Sequence, residues 1–202
     1  MEGEIFYWIS WSIWVYLTFI FRKEDPNRLK LSASILLVII LANFQFLIWG
    51  FEINSSGIFL ILFCYVAKAC VKTKKMSYFY LCSFIISIAY VTFLLFEIFD
   101  PVWLILKKEW MMGICLSYLS LLLQKTLKER LLMMISGTIH GEILYAFILS
   151  NYGFSNPISS LAYLDAISLT TIMLIGWSCI ENASAFFDHH FKITEKEKQK
   201  LS

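Results

Sequence analysis

Apolar residues along this chain gather into seven stretches that are separated by short polar segments. Roughly 20 apolar residues are needed for a helix to cross the hydrocarbon core of a bilayer. We therefore expect an all-α, polytopic transmembrane helical bundle over residues 1–191, followed by a short charged tail over residues 192–202. The predicted helices cover residues 5–21, 31–50, 57–71, 76–96, 110–127, 131–149 and 161–180.

Two of the stretches are weak candidates. The third is interrupted by Lys68, whose ammonium we expect to extend to the membrane interface. The fifth has a short apolar core. Residues 101–109, which precede it, either lie flat in the outer interface or lengthen the fifth helix, and the sequence leaves both alternatives open.

The basic residues predict the orientation. With seven helices, 15 of the 17 Lys and Arg residues fall on one side of the membrane, and only Lys107 and Lys108 fall on the other. Basic residues in short loops favour the cytoplasmic side. We therefore expect the amino terminus outside, the carboxyl terminus in the cytoplasm, and the fifth helix as a true span.

Composition agrees with a membrane protein, since 59% of the residues are hydrophobic and 16% are charged. A soluble domain of this size could not bury so much apolar surface. The net charge of +2 indicates the lipid bilayer, and no nucleic acid, as the partner. The five cysteines form no CxxC pair, so we expect isolated apolar side chains and no disulfide framework.

Chemistry in such a protein is expected from polar side chains at membrane depth, because they are costly there. We group five of them as a candidate intramembrane polar site: His140, Glu142, Asp165, Asn43 and Gln45. These residues either form a titrating path between helices or hydrogen-bond neighbouring helices to fix their packing. The sequence alone leaves both interpretations open.

The sixth helix carries the clearest pattern. Gly137 and Gly141 form a GxxxG pair, which predicts close approach of another helix, of a membrane-protein partner or of a second copy of the chain. His140 lies close to this glycine stripe, whereas Glu142 is about 200° away around the helix. The two side chains therefore need separate partners. We predict no catalytic residues, metal ligands or cofactor.

The amino-terminal segment has a distinctive pattern of aromatic and polar residues: Glu2-Gly3, Phe6-Tyr7-Trp8, Ser10-Trp11, Trp14, Thr18-Phe19 and a basic segment from Arg22. With this pattern the chain resembles the YphA-like family of small bacterial integral membrane proteins. The resemblance is close over residues 1–30 and rests on length and helix pattern beyond them. It implies a multi-pass protein of the bacterial cell membrane whose function is unassigned, and it offers no catalytic motif.

Two functions follow from these observations. The first is a structural, regulatory or partner-binding membrane protein, because no catalytic spacing and no soluble domain are found. The alternative is a small-solute or proton-coupled transporter that uses Glu142, Asp165 and His140.

Overall fold

The computed structural model describes the backbone of residues 2–21, 24–25, 27–48, 50–69 and 73–201. Within these ranges it describes side chains up to Ser184, except at positions 27, 73–75 and 101. This part of the chain forms seven α-helices and one β-hairpin, so the predicted number of helices is confirmed. The elements are α1 (Glu4–Val15), α2 (Asn27–Leu41), β1 (Gln45–Ile48), β2 (Phe51–Asn54), α3 (Ser55–Ala69), α4 (Thr73–Phe99), α5 (Lys108–Leu123), α6 (Leu127–Asn151) and α7 (Leu161–Leu201).

Three helical segments are long and apolar enough to cross a membrane: Met76–Phe99, Leu127–Asn151 and Leu161–Ser184. Two further apolar helical segments, Glu4–Ile20 and Ser55–Ala69, are shorter. The first of these includes a π-helical turn that continues α1 through Ile20. Helix α7 continues to Leu201, so the backbone of the predicted charged tail is helical.

The second helix differs from the prediction, because it ends at Leu41 rather than at residue 50. Strands β1 and β2 follow it and pair antiparallel, with Gln45 opposite Asn54. Gly50 has φ +82°, a left-handed conformation that glycine adopts without steric cost in a tight turn. A continuous apolar run does not by itself distinguish a helix from a buried or half-buried strand, which is why the hairpin was not predicted.

The hairpin is held by a segment far away in the chain. Ile158 forms a parallel bridge with Ile53. The amide of Asn54 donates to the Ile158 carbonyl over 3.0 Å, and the Ile158 amide donates to the Glu52 carbonyl over 2.8 Å. The segment that connects α6 to α7 is thereby bonded to β2 at one residue, Ile158.

The connection between α4 and α5 resolves an alternative that the sequence left open. Pro101–Trp103 form a short 3₁₀ helix, and α5 begins only at Lys108, so most of residues 101–109 do not lengthen α5. The Trp103 ring packs against the ring of Phe93, with centroids 5.2 Å apart. The ammonium of Lys108 pairs with Glu97 over 2.7 Å.

Tyr65 and Lys68 of α3 meet His140 and Glu129 of α6 in reverse order, so these two helices run in opposite directions. Ser83 and Tyr90 of α4 meet Gly137 and Gly141 of α6 in the same order, so α4 and α6 run in the same direction. Successive helices thus alternate in direction, and the connections collect at two ends of the bundle.

We call the end with β1, β2 and the α6–α7 connection the hairpin end. The opposite end is the basic end, where Arg28 donates to the Leu17 carbonyl over 2.9 Å and Arg130 binds Glu181. At this end Tyr78, near the start of α4, also donates to the carbonyl of Leu123, the last residue of α5.

The glycine pair of α6 packs against α4, at the stripe where the sequence predicts close approach of another helix. A Cβ added to Gly137 would lie 2.6 Å from the Ser83 carbonyl oxygen, and one added to Gly141 would lie 2.8 Å from Cδ1 of Tyr90. The helix on this face belongs to the same chain. A membrane-protein partner or a second copy on the Gly137/Gly141 face, which stays a prediction, would have to displace α4.

Replacing Gly137 or Gly141 by leucine is expected to force α4 away from α6 and to lower the thermal stability of the protein in detergent. Overpacking of this kind costs about 1–3 kcal/mol. Thermal unfolding and size-exclusion chromatography would measure the effect. Gly176→Leu is the matched control, because a Cβ at Gly176 meets nothing within 4 Å. Unchanged melting and elution for both test variants would contradict the α4–α6 contact.

Candidate functional site

The Glu142 carboxylate joins three separate parts of the chain. Its side chain is buried, with 4% of the residue exposed. The hydroxyl of Tyr90 in α4 donates to one carboxylate oxygen, and the backbone amide of Ser159 donates to the other over 3.1 Å. Glu142 in α6 therefore fixes α4 on one side and the α6–α7 connection on the other.

Local backbone conformation brings the Ser159 amide to this carboxylate. Ser159 has φ +63°, a left-handed conformation that is uncommon outside glycine and asparagine. Among the described residues its buried hydroxyl has no hydrogen-bond partner. That hydroxyl lies directly against Gly57, where any Cβ would collide with it. The first turn of α3 therefore needs glycine at this position.

A second buried pair lies beside Glu142. The hydroxyls of Thr138 and Tyr163 are 3.1 Å apart and hydrogen-bonded. The Tyr163 ring meets the Tyr90 ring edge-on, with centroids 6.2 Å apart. Thr138, Glu142 and Tyr145 are all buried on one side of α6, as their helical spacing predicts.

Asp165 holds the start of α1, a partner that sequence reasoning missed. Its two carboxylate oxygens accept from the backbone amides of Gly3, over 2.6 Å, and Phe6, over 2.7 Å. The first amides of a helix lack intrahelical acceptors and carry partial positive charge, so a carboxylate stabilises them. Here the capping group comes from α7, because Gly3 itself has no side chain to cap α1.

His140 has partners of its own on α3 and α6. Its Nε2 lies 3.0 Å from the Tyr65 hydroxyl, and its Nδ1 lies 2.5 Å from the Ser136 carbonyl oxygen. A carbonyl only accepts, so Nδ1 carries the hydrogen and Nε2 accepts from Tyr65. The prediction that His140 and Glu142 address different partners is confirmed.

The remaining two candidates lie apart from Glu142. Asn43 follows the end of α2 and accepts from the Tyr7 hydroxyl over 3.1 Å. Gln45 is exposed on β1. Both were expected inside the second helix, and both lie outside it because α2 ends at Leu41. The five candidate residues thus occupy separate positions, each with its own surroundings.

Asn54 is a structural residue that the sequence analysis did not single out. Its side-chain oxygen accepts from the amide of Ser56 over 2.9 Å, and its side-chain nitrogen donates to the Ala42 carbonyl over 2.8 Å. Asparagine directly before an apolar run is a helix-start signal that could have identified it. Asn54 caps α3 and joins it to the end of α2.

Two ion pairs, each between a buried basic side chain and a more exposed carboxylate, lie at the basic end. Arg130 binds Glu181 through two nitrogens, over 2.8 Å and 3.1 Å, and Trp177 donates to the same carboxylate over 2.8 Å. Lys68 pairs with Glu129. Lys68 is 2% exposed and lies in the last turn of α3. That its ammonium reaches the membrane interface stays a prediction.

The described residues include no group of three or more His, Cys, Asp or Glu side chains placed to share a metal ion. The polar groups instead form hydrogen bonds between parts of the chain that are distant in sequence. These hydrogen bonds are fixed connections between helices.

Asp165→Asn is expected to release the start of α1, because one carboxamide oxygen replaces two charged acceptors. Loss of charged hydrogen bonds of this kind costs about 1–3 kcal/mol. Hydrogen exchange followed by mass spectrometry should show faster exchange over residues 3–15, with little change in the hairpin. Asp100→Asn, at an exposed residue that accepts from the Val102 amide, is the control. Unchanged exchange over residues 3–15 would contradict the assigned role.

Comparison with known proteins agrees with this picture. The family described as YphA-like integral membrane protein matches residues 2–200. A relative from Bacillus subtilis (strain 168), named Uncharacterized protein YphA, is 27% identical over 202 residues, which is 100% of each chain. No solved structure matches. Because the family match covers nearly every residue, the chain belongs to the YphA-like integral membrane protein family.

Proposed function

We propose that this protein is a multi-pass component of the bacterial cell membrane with a structural, regulatory or partner-binding role. One observation carries the proposal. The two carboxylates that the sequence predicts at membrane depth each accept two hydrogen bonds from groups of the same chain: Glu142 from Tyr90 and Ser159, and Asp165 from Gly3 and Phe6.

Such fixed carboxylates suit a structural role better than a transport role. A transport cycle needs side chains that exchange their partners for a solute or for water. Here an exchange would leave backbone amides without acceptors in an environment poor in water, where each unpaired group costs several kcal/mol, roughly 2–7. The carboxylates therefore favour a single fixed arrangement of the helices over a transport cycle between two arrangements.

We further propose that all seven helices cross the membrane, with the hairpin end outside and the basic end in the cytoplasm. Support comes from the alternating direction of the helices and from the basic residues, because 15 of the 17 fall in sequence segments that a seven-helix topology puts on one side. The exceptions, Lys107 and Lys108, lie at the opposite end, where Lys108 pairs with Glu97.

Cysteine labelling tests this orientation in intact cells. In a background without the five natural cysteines, Ser155→Cys and Glu52→Cys should react with a membrane-impermeant maleimide. Lys125→Cys and Lys128→Cys should react only after permeabilisation. All four positions are exposed, so access depends on the side of the membrane. Labelling of Lys128→Cys in intact cells would contradict the orientation.

Proton-coupled transport is the second candidate, and Ser159 is the observation that favours it. Its buried hydroxyl has no hydrogen-bond partner among the described residues, although its own amide is bound to Glu142. An unpaired hydroxyl beside a carboxylate could take part in a proton path.

Proteoliposomes with an internal pH-sensitive dye separate the two functions. Under the structural proposal, the wild-type protein conducts protons no faster than empty vesicles, while Glu142→Gln lowers its melting temperature. Under the transport alternative, the wild-type protein conducts and Glu142→Gln does not. Glu97→Gln, which removes only a partly exposed ion pair with Lys108, is the matched control. Conduction lost in Glu142→Gln and kept in the control would overturn the structural proposal.

A further inference from the structure

Two hollows lie beside the hairpin. The first lies against α6, has a volume of about 250 Å³ and is lined only by apolar side chains: Ile48, Phe51, Ile53, Ile143, Phe147 and Ile158. The second, of about 340 Å³, lies between the hairpin and residues 150–157 and has a mixed lining. We call the first the apolar hollow and the second, which contains Glu52, the polar hollow. Phe51 lines both, so the two hollows meet at one side chain.

The position of the apolar hollow favours contact with the acyl chains of lipids. Its wall on α6 comes from Ile143 and Phe147, near the end of the candidate span Leu127–Asn151. Phe147 is 58% exposed, so no other part of the described chain covers this wall. An apolar hollow at the edge of a membrane span is open to the acyl chains of the bilayer.

The polar hollow has a definite charge preference. Glu52 is the only ionisable residue in its lining, and its side chain is exposed on β2. No lysine or arginine lines this hollow among the described residues. Ser155 and Asn156 also line it and carry neutral donors; the Asn156 amide nitrogen already donates to the Pro157 carbonyl over 3.4 Å and has a second hydrogen. A headgroup with an ammonium for Glu52 and a phosphate for the neutral donors matches this lining.

We propose that the hairpin groove, defined as these two hollows together, binds one aminophospholipid. The headgroup ammonium pairs with Glu52 in the polar hollow, and one acyl chain lies along Ile143 and Phe147 in the apolar hollow. Phe51 lies at the boundary between headgroup and chain. The site uses none of the groups that hold Glu142 or Asp165, so it is independent of the proposed function.

Native mass spectrometry of the purified protein in detergent tests the proposal. Phosphatidylethanolamine, phosphatidylcholine and phosphatidylglycerol with identical acyl chains are added singly and in pairs. The wild-type protein should retain one phosphatidylethanolamine in preference to the other two lipids. Glu52→Gln should reduce that preference about fivefold, the effect of losing one partly exposed ion pair. Glu24→Gln, an exposed carboxylate away from the hairpin, should leave the preference unchanged.

Two further variants keep the test decisive. Glu52→Lys should reverse the headgroup preference toward phosphatidylglycerol. Ile143→Trp fills the apolar hollow and should reduce retention of all three lipids, whereas Ile180→Trp, at an exposed position on α7, should not. Equal retention of all three lipids by the wild-type protein would overturn the proposal. So would unchanged retention in Ile143→Trp that elutes and melts like wild type.

Discussion

The contact between α4 and α6 is the interaction on which the rest of the bundle depends. Gly137 and Gly141 remove side chains from one stripe of α6, so the α4 backbone reaches van der Waals contact with it. This approach brings Tyr90 to Glu142, and Glu142 then fixes the Ser159 amide. Without the donors that this approach brings, the buried Glu142 carboxylate would strongly destabilise the fold.

Buried carboxylates in this protein bind backbone amides as well as side chains. Asp165 joins α7 to Gly3, which lies 162 positions away in the chain, and Glu142 joins α6 to the connection that follows it. Both carboxylates are buried, and a main-chain amide beside them needs an acceptor from the protein because water does not reach it. Carboxylates therefore perform a task at the ends of these helices that water performs at exposed helix ends.

Periodicity and composition were enough to predict part of this structure. The number of helices follows from the apolar segments, and the glycine stripe and the separation of His140 from Glu142 follow from spacing on α6. The hairpin was missed because an apolar run fits a helix as well as a strand. The partner of Asp165 and the burial of Lys68 depend on residues distant in sequence, Gly3 and Glu129, and one sequence without tertiary contacts does not name such partners.

In the proposed topology, the hairpin limits where the outer boundary of the membrane lies. Strand β1 pairs with β2 on one side, and its other edge carries main-chain groups that cannot remain unpaired in hydrocarbon. Its side chains at positions 46–48 are nevertheless apolar and exposed. Only the interface satisfies both conditions, since it offers water to the backbone edge and lipid to the side chains. Helix α2, whose 15 residues span about 22 Å, can then end below that interface, because the hairpin continues the chain outward.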